Sequence, residues 1–220
     1  KKIAFTIVLN GMPFIKEQYK YVPTCFDKWY IIEGATIPAN CTSWCKQIPE
    51  KYINKYKCSV DGTYEFLNEI QNDKIRVIRK NGFWNGKLEM CNSFMDEIEN
   101  CTLMQLDVDE IWKPEILRNI FEYNDKPEHH TTYDFMTFKC NYYVGPNLKI
   151  ISDNTYGDMP YEWYRLWNIK HKTQWISHEP PRILGCTRTL IKEFTKNKNW
   201  IFDHYAYVNK EQIQFKEDFY

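Results

Sequence analysis

The chain has no excess of charge of either sign. Its 29 Lys and Arg balance 29 Asp and Glu over 220 residues, so no basic field is present to hold nucleic acid or an anionic membrane. No run comes near the roughly 18 to 20 apolar residues that a membrane-spanning helix requires, so no transmembrane segment is expected. Neither a P-loop nor a Rossmann glycine fingerprint occurs, which argues against kinase and dehydrogenase chemistry. Cys41 and Cys45 lie four apart, but no second pair and no suitably spaced histidines complete a zinc site. Repeats, low-complexity tracts and linker-like stretches are also missing, which points to one domain with two halves.

Aromatic residues are plentiful, at 17% of the chain. That content excludes a disordered chain and indicates a large packed core, with a sugar- or base-stacking surface as the alternative use of the same rings. The eight cysteines (25, 41, 45, 58, 91, 101, 140 and 186) are scattered without compact spacing, so free thiols in a reducing compartment are expected. Lys1-Lys2 followed by Ile3 to Leu9 imitates a secretory leader. No small-residue cleavage site follows, however, and the run reads as a first buried strand.

Apolar, β-branched runs at 3–9, 29–32, 74–80 and 102–106 read as strands. Between them, helices are expected at 14–20, from Asp61-Gly62-Thr63 with Phe66, Leu67 and Ile70 inward, and at 87–99 with Leu88, Cys91, Met95 and Ile98 on one face. Another begins at Pro114 and runs through Tyr123. Residues 34–59 show no period and read as an irregular excursion with room for one short helix. This alternation argues for an α/β fold with a mostly parallel central sheet flanked by helices. Residues 133–152 and 162–184, rich in Tyr, Phe, Trp, Ile and Thr, suggest a smaller antiparallel region or an extended lid.

In an open α/β sheet, ligands collect beyond the carboxyl ends of the strands. The residues there are Asn10-Gly11, Glu33-Gly34 and Asp107-Val108-Asp109. If the chain stays extended past the fourth strand, Asp107 and Asp109 face one side, and two hard carboxylates suit Mg²⁺ or Mn²⁺ with open positions for phosphate oxygens. Twelve Asp in 220 residues produce roughly 0.6 Asp-x-Asp matches by chance, so the position after a buried strand has to carry the reading. Lys87, at the start of a helix after Gly82 to Gly86, could meet an anion or be an ordinary exposed lysine. His129 and His130, in a Pro-Glu-His-His loop, read as solvent-facing and His171 sits among lysines, so these three are poor candidates. His178, in Ser177-His178-Glu179-Pro180-Pro181, and His204, in Asp203-His204-Tyr205, are the imidazoles that could complete a metal site, although a lone histidine is more often structural.

The segments VLNGMPF, WYIIEG, NGFWNGKLEM, LMQLDVDEIW, SHEPP, HYAYV and QIQFKEDFY together resemble the GT-A glycosyltransferases, in particular family 2-like domains of bacteria and large algal viruses such as chlorella viruses. The resemblance spans most of the chain. It implies a GT-A, Rossmann-like fold over residues 1–220, with 1–112 as a nucleotide-binding half and 113–220 as an acceptor-binding half. It also implies a nucleotide-sugar donor, most naturally UDP-linked, a glycan acceptor and Mn²⁺ or Mg²⁺ as cofactor. Further domains of a longer chain and a cytoplasmic location, the host cytoplasm if viral, are in keeping with it. Carried over by residue, Asp107 and Asp109 hold the metal and the ribose-diphosphate, with Asp109 counted as catalytic, and His204 is the third ligand. Asn10, Gly11 and Glu33 line the nucleoside pocket, Lys87 meets the diphosphate, and Glu179 is the general base or an acceptor-binding group. The chain departs from the common family 2 pattern in having Glu33-Gly34 where an acidic pair before Gly-Ser is usual, and in lacking a clear Glu-Asp pair for the base. Inversion and retention therefore stay open. A noncatalytic carbohydrate-binding module and a metal-dependent phosphohydrolase are the rival readings.

Overall fold

In a computed structural model of the chain, residues 1–38, 45–129, 132–150 and 163–219 are described. Four parallel strands form one side of the central sheet: β1 (Lys2–Val8), β2 (Lys28–Glu33), β3 (Ile75–Arg79) and β4 (Cys101–Gln105), in the order β3-β2-β1-β4. The alternation in the sequence explains why these segments are strands at the centre. Ala4, Val8, Trp29, Ile31 and Met104 point into one apolar cluster, while Ile3, Phe5, Tyr30, Ile32 and Leu103 point into another on the opposite face. β1, β2 and β4 are thus buried on both sides, β3 at the edge only in part, and helices cover each side.

The first face is covered by α1 (Phe14–Tyr19), α2 (Val22–Cys25), α3 (Thr63–Ile70) and α5 (Pro114–Asn124), through residues such as Ile15, Val22, Leu67, Leu117 and Phe121. The second face is covered by α4 (Gly86–Asn92) and a 3-10 turn at Met95–Glu97. The single helix expected over 87–99 is thus broken after Asn92. Met90, Phe94 and Met95 fill the core there, and Leu88, expected to face inward, is exposed. In α3, Leu67 and Ile70 are buried and Phe66 packs at the margin of the core, as its spacing predicts.

Of the two expectations for the aromatic second half, antiparallel strands or an extended lid, the described residues show the strands. β6 (Phe135–Tyr143) and β8 (Trp163–Ile169) extend the same sheet, with β8 antiparallel to both β4 and β6. β5 (Glu110–Ile111) and β12 (Ile201–His204) complete its far edge, and β7 (Lys149–Ile150) and β11 (Thr189–Leu190) pair with β6. A separate antiparallel hairpin, β9 (Trp175–His178) and β10 (Pro181–Ile183), packs Trp175 and Ile183 beneath α4. α6 (Lys192–Asn197) precedes β12, and α7 (Lys210–Phe219) ends the described chain. The architecture is a Rossmann-like mixed α/β fold with a mostly parallel sheet between helices and a small antiparallel sheet beside it. Among the described residues no helix is long and apolar enough to cross a membrane.

In the excursion over 34–59 a 3-10 turn lies at Glu50–Tyr52 and a bridge runs from Thr36 to Trp84; residues 39–44, including Cys41, lie outside the described residues. The seven described cysteines are free thiols. His129, expected in solvent, is half-buried and stacks on Tyr123 at 3.8 Å between ring centroids. His171 is exposed, and His130 lies outside the described residues.

Candidate functional site

The acids after β4 sit in a tight turn. The Glu110 N–H donates to the Asp107 carbonyl at 2.9 Å, closing a four-residue turn over 107–110. The side chain of Gln18 on α1 fastens it, its amide donating to the carbonyls of Asp107 at 2.8 Å and Glu110 at 3.1 Å. The expectation of an extended segment, with Asp107 and Asp109 brought to one side by strand alternation, is corrected by this turn. The two carboxylates instead diverge onto different partners. Beneath them, a Cβ on Gly11 would come within 2.5 Å of Val8 and 2.8 Å of Val108, so only glycine lets the loop leaving β1 touch the turn leaving β4.

Asp107 accepts the Gln105 amide at 2.8 Å and the Arg165 guanidinium at 2.8 Å. Burial works to raise its carboxyl, but Arg165 and Gln105 outweigh that and hold it below the usual value. Arg165, on β8, also donates from Nε to both oxygens of Glu110, at 2.9 and 3.1 Å. Its side chain is 3% exposed and that of Glu110 is 0%, so the pair is locked into the sheet. Burial pushes Glu110 up to about 7 against the pull of Arg165, and Asp107 adds to the rise.

Asp109 faces the second half. Its Oδ1 lies 3.4 Å from His204 Nε2, and its Oδ2 accepts from Lys216 at 2.9 Å and from Gln212 at 3.3 Å, both on α7. The Tyr205 N–H donates to its carbonyl at 2.8 Å. Burial opposes ionisation here too, yet Lys216 and then His204 overcome it and hold the carboxyl well below the ordinary range. His204 is itself buried in a cage of rings, with Tyr142 and Trp163 each 4.9 Å away between centroids. Its Nδ1 has no hydrogen-bond partner, and neither does Gln105 Oε1 beside Asp107.

Lys87 and Glu179 also meet, although 92 residues separate them. Lys87 Nζ is 3.5 Å from Glu179 Oε1, and His178 Nδ1 is 3.7 Å from the same oxygen. The nearby His178 imidazole is the main influence lowering the Glu179 carboxyl, and Lys87 adds to it against burial. Burial drives the His178 imidazole down, with Asp107 among the charges acting on it. Lys87, Glu179 and His178 thus lie on the Asp107 side of the turn, and His204 and Lys216 on the Asp109 side.

Asn10 and Glu33 form a neighbouring cluster. Asn10, at φ 54°, donates from its amide to the Tyr52 carbonyl at 2.8 Å and accepts the Val60 N–H at 2.9 Å. The Gly11 N–H donates to the Thr63 hydroxyl at 2.9 Å. Glu33 is fully buried, taking the Ser59 N–H at 3.2 Å on one oxygen and Arg79 Nε at 2.5 Å on the other.

Reading from the sequence missed Arg165, Lys216, Gln18 and Gln105. Arg165 had a signal, as the one charged residue in the apolar strand WYRLWNI. Lys216, one of several charges on a polar helix, had none.

For a divalent cation, the donor set divides. Among the described residues no three His, Cys, Asp or Glu side chains converge as metal ligands. A hard ion shared with phosphates needs only one or two protein ligands, and neighbouring ligands of an octahedral ion lie about 3 Å apart. Asp109 Oδ1 and His204 Nε2, 3.4 Å apart, fit that spacing. Asp107 is already matched by Arg165.

No family model matches this chain, and no curated protein matches it. Among solved structures it is similar to Staphylococcus aureus TarS residues 1–349, with 17% identity, 69% of this chain and 38% of that one covered, and a TM-score of 0.46. The same protein in complex with UDP-GlcNAc matches at 17% identity, 69% and 37% coverage and TM-score 0.46. Mannose-6-phosphate isomerase from Helicobacter pylori matches at 12% identity, 64% and 51% coverage and TM-score 0.38. The chain spans less than two fifths of the TarS 1–349 structure. Likeness at this level says nothing of activity.

Proposed function

We propose that the chain is a glycosyltransferase that moves a sugar from a nucleotide-linked donor, UDP-linked in the first instance, to a carbohydrate acceptor with the help of Mn²⁺ or Mg²⁺. One observation carries the reading: the acids of the 107–110 turn lie at the carboxyl edge of the parallel strands and against the loop leaving β1, where an α/β sheet binds its ligands. Around that turn gather groups that a departing diphosphate calls for.

Asp109 and His204 would hold the cation, which when bound supplies the positive charge that stabilises a leaving diphosphate. Asp107, kept ionised by Arg165 and oriented by Gln105, sets the negative side of the site. Lys87, 3.5 Å from Glu179, offers an ammonium to the diphosphate oxygens. Glu179, 41% exposed on its side chain, is ionised at neutral pH and can accept the proton of an acceptor hydroxyl, with His178 orienting it. Gly11 lets the loop leaving β1 close against the 107–110 turn, while Asn10 and Glu33 shape the wall behind the donor's nucleoside.

The test is a panel of nucleotide sugars offered with a carbohydrate acceptor mixture, with and without Mn²⁺. Cation-dependent release of UDP together with glycosylated acceptor is expected. Glycan binding with no affinity for any nucleotide would replace this reading with a carbohydrate-binding module. Free phosphate without sugar transfer would replace it with a phosphohydrolase built on the same acids.

A further inference from the structure

α7 reaches across the molecule and presents three differently equipped faces. Phe215 and Phe219 join Ala35, Ile48 and Ile53 in a small satellite core, with Phe215 against Tyr52 at 5.0 Å between ring centroids. Asp218 takes the Tyr52 hydroxyl at 2.7 Å and Lys51 at 2.6 Å, and the Phe219 carbonyl takes the Lys46 N–H at 2.6 Å. Gln212 and Lys216, four residues apart and so on one face, both donate to Asp109 Oδ2. The Lys216 ammonium also donates to the Ala206 carbonyl at 2.7 Å and lies over the Tyr207 ring at 4.8 Å. Its side chain is 19% exposed, low for a lysine.

The two oxygens of Asp109 therefore do different work. Oδ1 faces His204, in the spacing that suits a hard cation, and Oδ2 carries a protein ammonium. A divalent ion on Oδ1 and an ammonium on Oδ2 would be like charges separated by a single carboxylate, which is strongly unfavourable in a buried setting. Arg165, the other cation at the turn, is fixed by Glu110 and cannot yield. Lys216 has a flexible stem and belongs to a helix anchored elsewhere by its phenylalanines, so it is the group that can leave.

We infer that Lys216 is an internal counter-ion that a divalent cation must displace from Asp109, so that cation binding unlatches the Gln212–Lys216 face of α7 from the site while Phe215 and Phe219 keep the helix attached. The inference rests on the cation site proposed above and adds what competes for it. The latched form cannot take the cation, so the apparent affinity is lowered by the fraction of molecules latched.

The experiment measures Mn²⁺ binding to the whole chain without nucleotide, by electron paramagnetic resonance of the free ion, for wild type, Lys216→Met, Lys216→Gln and Asp109→Asn. A neutral residue at 216 is expected to raise Mn²⁺ affinity about tenfold or more, and Asp109→Asn to abolish binding. Two neutral variants guard against one that does not fold, which circular dichroism would reveal. In wild type, Mn²⁺ should also speed amide exchange over residues 210–216. Affinity unchanged or reduced in a folded Lys216 variant overturns the inference and leaves the cation site standing. Binding that survives Asp109→Asn, or its absence from both wild type and the Lys216 variants, overturns the cation site and the latch with it.

Discussion

Two acidic clusters sit side by side at the carboxyl edge of the parallel strands, and they are built to different ends. Around Glu33 every group is answered: one oxygen by the Ser59 N–H, the other by Arg79, and Asn10 alongside is used on both sides of its amide. Around the 107–110 turn the answers are incomplete. His204 Nδ1 and Gln105 Oε1 are buried without partners, and Asp109 shares its charge between an imidazole and a lysine from the end of the chain. A buried carboxylate with fixed partners holds a fold together, whereas one held by a displaceable partner is open to chemistry. Position at a strand end does not separate the two, but their partners do.

The contrast can be broken most directly at Glu33. Glu33→Ala leaves Arg79 and the Ser59 N–H without their buried acceptor, and urea unfolding should show a loss of about 3–5 kcal/mol. A variant as stable as wild type would mean that this cluster is not structural. Asp109→Asn keeps the shape of the side chain and most of its hydrogen bonds. Sugar transfer should fall about 10²- to 10³-fold with a much smaller drop in melting temperature than Glu33→Ala produces, as paired activity and melting measurements would record. Equal losses of stability in the two variants would erase the difference between the clusters.

A smaller effect is expected from His204→Ala, which should weaken Mn²⁺ binding about tenfold in a direct titration. An unaltered titration would reassign His204 to the aromatic core that surrounds it. The smallest effect concerns a locked acid away from both clusters. Asp134 is held down to about 2, first by the Arg188 side chain and then by the N–H groups of Arg188 and Thr187, against burial. Its folded value lies below the ordinary 3.8, so the stabilisation it contributes is complete above that value and fades as pH falls toward 2. Asp134→Asn should flatten this part of the curve of stability against pH, measured by urea unfolding between pH 5 and 2.

The strands β1, β2 and β4 were legible because each is buried on two faces, and the edge strand β3 from the rough alternation of Ile75, Val77 and Ile78. Ile3, Phe5 and Leu103 on one side, and Ala4, Val8 and Met104 on the other, leave continuous apolar runs that nothing else in the first half imitates. α3 and α5 were legible from their spacing and from Pro114 at a helix start. The ends of the 87–99 helix were not, because Phe94, Met95 and Ile98 keep an apolar pattern through a break that only packing reveals. At the site, the acids could be found from their place after β4, but their directions could not. Those depend on Gln18, Arg165 and Lys216, which are between 55 and 107 residues away from the acidic residues they meet. No local pattern encodes such a meeting.

The pairing of β8 with β4, in which Met104 stands opposite Leu166 and Leu103 opposite Trp167, does more than close the sheet. It also aims Arg165. Sliding β8 by one residue would turn every side chain to the other face, send the guanidinium into the wrong layer, and leave Asp107 and Glu110 repelling each other with no cation between them. Strand alignment and charge balance are thus one specification, and a misaligned molecule would be penalised twice, by its misplaced tryptophans and by its stranded acids.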